Sequence, residues 1–379
     1  MKKVLATILA LVMALSVTTM AWADDVAKIG GTGYATLQEA VDAATNDQTI
    51  VLQSNVVLTA SLNVAAGKTV TLDLNSCKIT ADMNGPHMIC NAGNLTITDS
   101  SENKTGEIAK IGAETNFGYV IENHGTMTLD RCKISSTSVK SSAIENGWYT
   151  ASANTAGTSC TMTIQNAEVV SVNAAGGLYT VKNDDYGVMV INGGVFTNGV
   201  AGAGAVLNWN DLTINGGTFT GASAVRTLKS GSSDFETGKS QIKNGTFNGG
   251  IDTLDGYKTG ITIAVTGGTF STDVTGYLGE GKVLQKNGDT YTAVTNSAIT
   301  SGTYTSEPTV PSGYKATKND DGTWTVSKVS HYYYQPTTDT KTDNTKGSPK
   351  TFDAGIALYV GMALTSAAGV AFVGKKRED

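Results

Sequence analysis

The chain has 379 residues and a net charge of −6, from 27 Lys and Arg against 33 Asp and Glu. It is long enough to bury a large core, and its acidic balance excludes a nucleic-acid-binding protein, which needs a basic face. There are 44 Gly and only 5 Pro, and Thr, Asn, Ser and Val are abundant. This composition favours tight turns and short strands, so we expect an all-β fold.

The N-terminus has the three parts of a secretion signal. The chain begins Met-Lys-Lys, an apolar run extends from Val4 to Val17, and Ala21-Trp22-Ala23 matches the cleavage pattern of signal peptidase. The apolar run is shorter than the roughly 20 residues of a membrane span. We therefore predict a signal peptide over residues 1–23 and an exported mature chain.

A short helix is predicted at the start of the mature chain. Thr36 and Glu39 have the spacing of a capping box, and apolar residues follow from Leu37 to Ala44 at helical intervals. The helix over residues 36–44 would close the open end of a stack of strands, whose edges are otherwise unpaired.

An octapeptide pattern recurs along the body, as in the segment from Leu212 to Phe219. Its apolar and polar residues alternate as in a strand, and Asn-Gly-Gly then turns the chain. Alignment on the third position predicts one apolar column of Leu74, Ile97, Leu129, Ile164, Ile191, Ile214, Ile242 and Val265, in which three of the seven spacings are 23 residues. A second predicted column contains Ile79, Ile134, Val169, Phe196, Phe219, Phe247 and Phe270. We expect successive turns of three short strands to stack into one continuous core.

A second signature, apolar-x-Asn, precedes the first. It occurs in Ile89-Cys90-Asn91, Ile121-Glu122-Asn123, Ile144-Glu145-Asn146 and Val206-Leu207-Asn208. We read it as the neighbouring strand and its corner, and we expect three of these asparagines to stack as a ladder of amides.

With these repeats, residues 34–275 resemble the pectin-lyase-like right-handed β-helix superfamily, and most closely the Gly- and Asn-rich repeats of bacterial surface proteins. The resemblance implies a right-handed parallel β-helix, a solenoid, over residues 24–278. It does not decide activity, because this fold is found in lyases, hydrolases, adhesins and inert stalks.

Four aromatic residues near inserted loops are the candidate binding residues: Trp148, Tyr149, Tyr186 and Trp209. Exposed rings next to polar loops can stack on sugars, although they can equally cover the edge of the core. The only close acidic pair in the repeats, Asp184-Asp185, is predicted to be a solvated turn, and His87 and His124 are predicted at corners. No residue stands out as catalytic.

The four cysteines are Cys77, Cys90, Cys132 and Cys160. An exported protein permits disulfides, but four cysteines are too few for a disulfide scaffold in a chain of this length. Their spacing matches no zinc pattern, so neither a metal nor a cofactor is predicted. We expect small core residues, and their disulfide status stays open.

The C-terminal part is predicted to contain a small β appendage over 279–328, a polar spacer over 329–347 and an anchor over 348–379. The apolar run from Ala354 to Gly374 has the length of a transmembrane helix. Lys375-Lys376-Arg377 follows it and predicts a cytoplasmic end.

The segment from Ser348 to Phe352 resembles a Gram-positive cell-wall sorting signal, whose pentapeptide is Leu-Pro-x-Thr-Gly. Pro349 and Thr351 match it, so the resemblance implies that Thr351 is joined to peptidoglycan. Ser348 replaces the Leu and Phe352 replaces the Gly. The alternative is an uncut helix that anchors the protein in the membrane.

These features predict a structural or adhesin-like protein on the cell surface, with its body outside the cell and glycans or host-surface and matrix ligands as partners. The alternative is an enzyme of the same fold, a polysaccharide lyase or glycoside hydrolase.

Overall fold

The computed structural model describes residues 25–85, 87–112, 116, 118–137, 142–149, 153–154, 156–172, 179–229 and 238–330. The predicted signal peptide, nearly all of the spacer, Pro349, Thr351 and the predicted transmembrane helix lie outside these ranges. Within the described ranges, no helix has the length and apolar character needed to cross a bilayer.

The described chain is all-β apart from one α-helix and one short 3-10 helix. A hairpin of β1 (Ala27–Ile29) and β2 (Thr32–Tyr34) comes first and is followed by α1 (Leu37–Ala43). The hairpin was not predicted, and its first strand pairs antiparallel with β3 (Gln48–Leu52).

Most of the remaining strands pair in parallel and form three ladders. Ladder A consists of β3, β6 (Thr69–Asp73), β9 (Asn94–Thr98), β12 (Thr126–Ser136), β14 (Cys160–Ser171), β16 (Gly187–Ile191), β19 (Asp211–Ile214), β21 (Lys239–Ile242) and β23 (Thr262–Val265). Ladder B consists of β4 (Val56–Val57), β7 (Lys78–Ala81), β10 (Glu107–Lys110), the ends of β12 and β14, β17 (Gly194–Asn198), β20 (Thr218–Thr227), β22 (Thr246–Asp252) and β24 (Thr269–Phe270).

Ladder C consists of β5 (Leu62–Val64), β8 (Ile89–Asn91), β11 (Ile121–Asn123), β13 (Ile144–Asn146), β15 (Tyr179–Asn183), β18 (Gly204–Asn208) and the ends of β20 and β22. The chain passes through ladders A, B and C in turn, and each strand pairs with the strand of the same ladder from the preceding turn. This long, mostly parallel sheet is compatible with a β-helix.

Columns of buried apolar side chains form the core, because alternate residues of each strand point inward. The rings of Phe196, Phe219, Phe247 and Phe270 lie nearly parallel, with successive centroids 4.9, 5.0 and 4.9 Å apart. The predicted phenylalanine stack is therefore confirmed. At the corner before Phe219, Gly217 has a φ of +112°, and a Cβ there would lie 3.1 Å from the Gly194 carbonyl, so this turn requires glycine.

One predicted register is wrong. Leu72, not Leu74, pairs with Ile97 in the ladder A column. Asp73 ends the strand, and the chain leaves the regular register before Leu74. The sequence pattern places apolar residues at both positions, so periodicity alone does not separate them.

The asparagine ladder is confirmed and is longer than predicted. Five buried amides, those of Asn91, Asn123, Asn146, Asn183 and Asn208, are joined by Nδ2–H···Oδ1 hydrogen bonds of 2.7, 2.7, 2.8 and 2.8 Å. Each Nδ2 also donates to a backbone carbonyl of the ladder A strand one turn further along the chain than the strand that directly follows it. These bonds tie the corner of one turn to the next turn.

Both ends of the ladders are closed by other elements. The predicted capping box of α1 is confirmed, since the Thr36 side chain accepts from the Glu39 N–H and the Glu39 carboxylate accepts from the Thr36 N–H. The helix buries Leu37, Ala40 and Val41.

At the other end a 3-10 helix (Thr275–Tyr277) precedes five antiparallel strands: β25 (Lys282–Asn287), β26 (Thr290–Thr295), β27 (Gly302–Tyr304), β28 (Tyr314–Lys318) and β29 (Trp324–Lys328). These strands contact the parallel ladders where β26 pairs antiparallel with β24, the last strand of ladder B.

Candidate binding site on ladder C

The middle residue of each ladder C strand faces away from the core, because its two neighbours point inward. Register places these residues in one outward column: Cys90, Glu122, Glu145, Lys182, Leu207, Arg226 and Asp252. Adjacent rungs are about 4.8 Å apart. We call this column and the loops that flank it the ladder C face.

Glu122 lies between two imidazoles at one end of the face. Its Oε1 is 3.3 Å from Nε2 of His87 and 3.8 Å from Nε2 of His124. Nδ1 of His87 accepts the backbone N–H of Tyr119 at 3.0 Å. That bond places the proton of a neutral His87 ring on Nε2, which then donates to Glu122.

The next two rungs contain a buried lysine between two carboxylates. The Lys182 ammonium donates to Oδ2 of Asp184 at 2.5 Å and lies 3.7 Å from Oε1 of Glu145. Glu145 is only 2% exposed, and its Oε1 accepts no hydrogen bond from the described residues. The ammonium therefore pairs mainly with Asp184.

Burial controls the protonation of this face, because it disfavours the charged form of each group. It raises the pKa of Glu122 and lowers the pKa of His124. Burial also raises the pKa of Glu145 to about 9, with Lys182 opposing the shift and Asp184 adding to it. Desolvation and the nearby Glu122 raise the pKa of the Cys90 thiol to about 11.

Three of the four predicted binding residues meet at this cluster. The Trp148 ring stacks on His124 at 4.3 Å and meets Tyr186 edge-on at 6.1 Å. The Tyr149 ring lies 5.1 Å from the Lys182 ammonium and is 73% exposed.

Trp209 does not join them. It packs against a separate apolar cluster of Tyr179, Leu207 and Leu228 and meets Tyr257 edge-on at 6.2 Å. This second aromatic patch lies on the ladder C face beyond Lys182.

The solvated turn predicted for Asp184-Asp185 is wrong. The two residues are 4% and 2% exposed. Trp148 covers this turn, since its backbone N–H donates to the Asp185 carbonyl at 3.0 Å and the two residues form an antiparallel bridge. Trp148, two residues after the end of β13, thus lies against the acidic pair, which spacing along the chain does not reveal.

A cavity of about 200 Å³ opens beside Cys90 and His124, the neighbours of Glu122. It is lined by Asn63, Val64, Ala65, Cys90, Asn91, Ala92 and His124. Cys90 joins the cavity to the charged cluster, because it lines the cavity and pairs with Glu122 in the ladder C register.

The sequence contained a signal for this cluster that the prediction of aromatic residues alone missed. The motif Ile-Glu-Asn occurs twice, and it places Glu122 and Glu145 at equivalent outward positions. Val181-Lys182-Asn183 has the same apolar-x-Asn pattern. Aligning all copies therefore predicts two carboxylates and an ammonium on adjacent rungs.

The site residues offer hydrogen-bond donors, acceptors and aromatic faces. All four cysteines are free thiols. Among the described residues, no group of three or more His, Cys, Asp or Glu has the arrangement of a metal site. Comparisons of the chain with family models, curated proteins and solved structures give no match.

Proposed function

We propose that this chain is a cell-surface protein whose right-handed parallel β-helix, of the pectin-lyase-like kind, binds a glycan on the ladder C face. The repeated octapeptide and its parallel register support the fold. The Gly- and Asn-rich turns support a rigid stalk that displays the face.

The exposed ring of Tyr149 beside the polar cluster is the observation that carries this proposal. A large ring that is 73% exposed and lies 5.1 Å from an ammonium group, next in sequence to a Trp that stacks on an imidazole, has the composition of a sugar-binding surface. There an aromatic face stacks on the pyranose ring and polar groups meet the hydroxyls.

The test is binding of the full-length chain, in detergent, to an array of immobilised glycans. We expect Tyr149→Ala to weaken binding about tenfold, which corresponds to about 1.4 kcal/mol. Tyr257→Ala is the matched control, because Tyr257 is also an exposed ring on this face. A chain that binds no glycan would contradict the proposal, and a loss of binding with Tyr257→Ala but not with Tyr149→Ala would contradict the role of Tyr149 in it.

An enzyme is the second candidate, because the face groups Glu122, Glu145 and Asp184 with Lys182. Paired carboxylates are the acid and base of glycoside hydrolysis. However, the burial of Glu145 leaves Glu122 as the more accessible carboxylate of the pair. Release of shorter glycans by the purified chain, abolished in Glu122→Gln, would favour this candidate over a binding protein.

The proposed location is the cell surface, with the body outside and the C-terminal segment as anchor. The support is the basic n-region and Ala21-Trp22-Ala23 at one end, and the apolar run with its basic tail at the other. Sortase joining at Thr351 predicts that wall hydrolase releases the protein and that Thr351→Ala moves it to the membrane fraction. An uncut helix predicts that the wild-type protein and Thr351→Ala are both found in the membrane fraction.

A further inference from the structure

We infer that the end of the ladder C face formed by Cys90, Glu122 and His124 binds the ammonium group of an amino sugar, through the Glu122 carboxylate. The inference deepens the proposed glycan binding and rests on it. It names the chemical class of the sugar and the residue that selects it.

The first support is the charge around Glu122. Its side chain keeps 19% exposure, yet both neighbouring rings are imidazoles, and Nδ1 of His87 accepts the Tyr119 N–H. Within the part of the chain that the structure describes, no Lys or Arg forms an ion pair with Glu122. A half-buried carboxylate without a cation is costly, and a ligand cation would supply the missing charge.

The second support is an acceptor beside it. Glu145 occupies the adjacent rung on the same outward side. Its Oε1 is buried and accepts no hydrogen bond from the described residues, since Lys182 is turned to Asp184. Two carboxyl groups on neighbouring rungs, the more exposed Glu122 and Glu145 with an Oε1 that accepts no hydrogen bond from the described residues, suit an ammonium group, which has three hydrogen-bond donors and no acceptor.

The third support is shape. The cavity beside Cys90 and His124 has a volume of about 200 Å³, below the roughly 300–1,000 Å³ of sites for drug-sized ligands. It therefore suits one sugar residue of a chain. The His124 ring, backed by Trp148 at 4.3 Å, forms one wall of it.

The same features disfavour the other sugar classes. A uronic acid would place its carboxylate against Glu122, and like charges in a half-buried site repel. A neutral sugar would leave the Glu122 charge uncompensated. An ammonium–carboxylate contact, by contrast, is a charge-assisted hydrogen bond, about twice as strong as a neutral one.

The experiment compares three probes on the full-length chain in detergent: chitosan hexaose, its fully N-acetylated counterpart chitin hexaose, and hexagalacturonate. We expect chitosan hexaose to bind at least tenfold more tightly than either of the others. Glu122→Gln should abolish that preference. Glu280→Gln, which removes an exposed carboxylate elsewhere and lowers the net negative charge equally, should keep it, and unfolding temperatures should show that both variants fold.

The outcomes separate this inference from the proposed function. Equal binding of the acetylated and deacetylated hexaoses overturns the amino-sugar inference and leaves glycan binding standing. A preference for chitosan that is unchanged in Glu122→Gln overturns it too, because the attraction is then the general acidity of the chain. Absence of binding to any glycan on the array overturns both.

Discussion

At the scale of single residues, the charge distribution of the ladder C face depends on which carboxylate forms the ion pair with the Lys182 ammonium. Asp184 at 2.5 Å is the nearer partner and Glu145 at 3.7 Å the farther one. Burial disfavours the charged form of Glu145 and the ammonium lies closer to Asp184, so Glu145 retains its proton at neutral pH.

Lys182→Met should destabilise the protein by about 3–5 kcal/mol at neutral pH, the usual cost of removing one partner of a buried ion pair. The variant leaves the buried Asp184 without its cation. Urea unfolding measures the change, and Lys258→Met is the control, because Lys258 forms an exposed pair with Asp255. Equal stability of the two variants would show that Lys182 carries no buried pair.

Glu145→Gln should become more stable than wild type as the pH rises. The folded pKa of Glu145 is raised to about 9, while in the unfolded chain a Glu titrates near 4.3. The folded state therefore binds the extra proton between about pH 4 and 9, and its stabilisation is lost as pH rises through that range. The unfolding free energies of the two proteins should agree at pH 4, and that of Glu145→Gln should be the larger at pH 9. A larger unfolding free energy for the wild type at pH 9 would mean that Glu145 is ionised in the folded protein.

The aromatic residues of the site were predictable from sequence, and its charged residues were not predicted. Trp148 and Tyr149 stand out because large rings in a polar insertion are unusual. Glu145 and Lys182 are 37 residues apart in the chain, and they meet because they occupy equivalent positions on the paired strands β13 and β15. Sequence distance hides such a pair until every turn is aligned by its asparagine.

At the scale of elements, the asparagine ladder ties one turn to the next. Asn146→Ala should cost several kcal/mol, because it removes partners from both Asn123 and Asn183, and each orphaned buried group costs about 1–3 kcal/mol. Asn192 is the matched control, since it also sits in the middle of an amide chain, between Gln165 and Asn215, but is exposed. Equal losses of unfolding free energy in Asn146→Ala and Asn192→Ala would contradict a special role for the buried ladder.

The elements themselves were largely predictable, because each follows a local rule. The capping box marked α1, and alternation marked the strands. What failed was register after an irregular corner, as at Leu74, and the hairpin of β1 and β2, whose six residues are too few to show a period. Both depend on pairing with distant residues, which local sequence does not specify.

At the scale of the whole molecule, the proposed display of the body depends on its two ends. Deleting residues 354–379 should release the protein into the medium, because it removes the apolar run and its basic tail in either anchoring scheme. Immunoblots of cells and medium measure the release. The full-length chain is the control, and a truncated chain that stays with the cells would show that another segment holds it.

The hydrogen bonds between the buried amides all point in the same direction along the asparagine ladder. The first four asparagines of the series each donate to the next one on the C-terminal side, and Asn208 donates to the Ser240 hydroxyl at 3.0 Å. The bond dipoles therefore align along the axis, and each polarises the next. A duplicated turn can be inserted anywhere in such a series if it brings one asparagine, but aspartate would have no hydrogen to pass on. The common direction of these hydrogen bonds thus limits the turns that can be added to the β-helix to those with an asparagine at the ladder position.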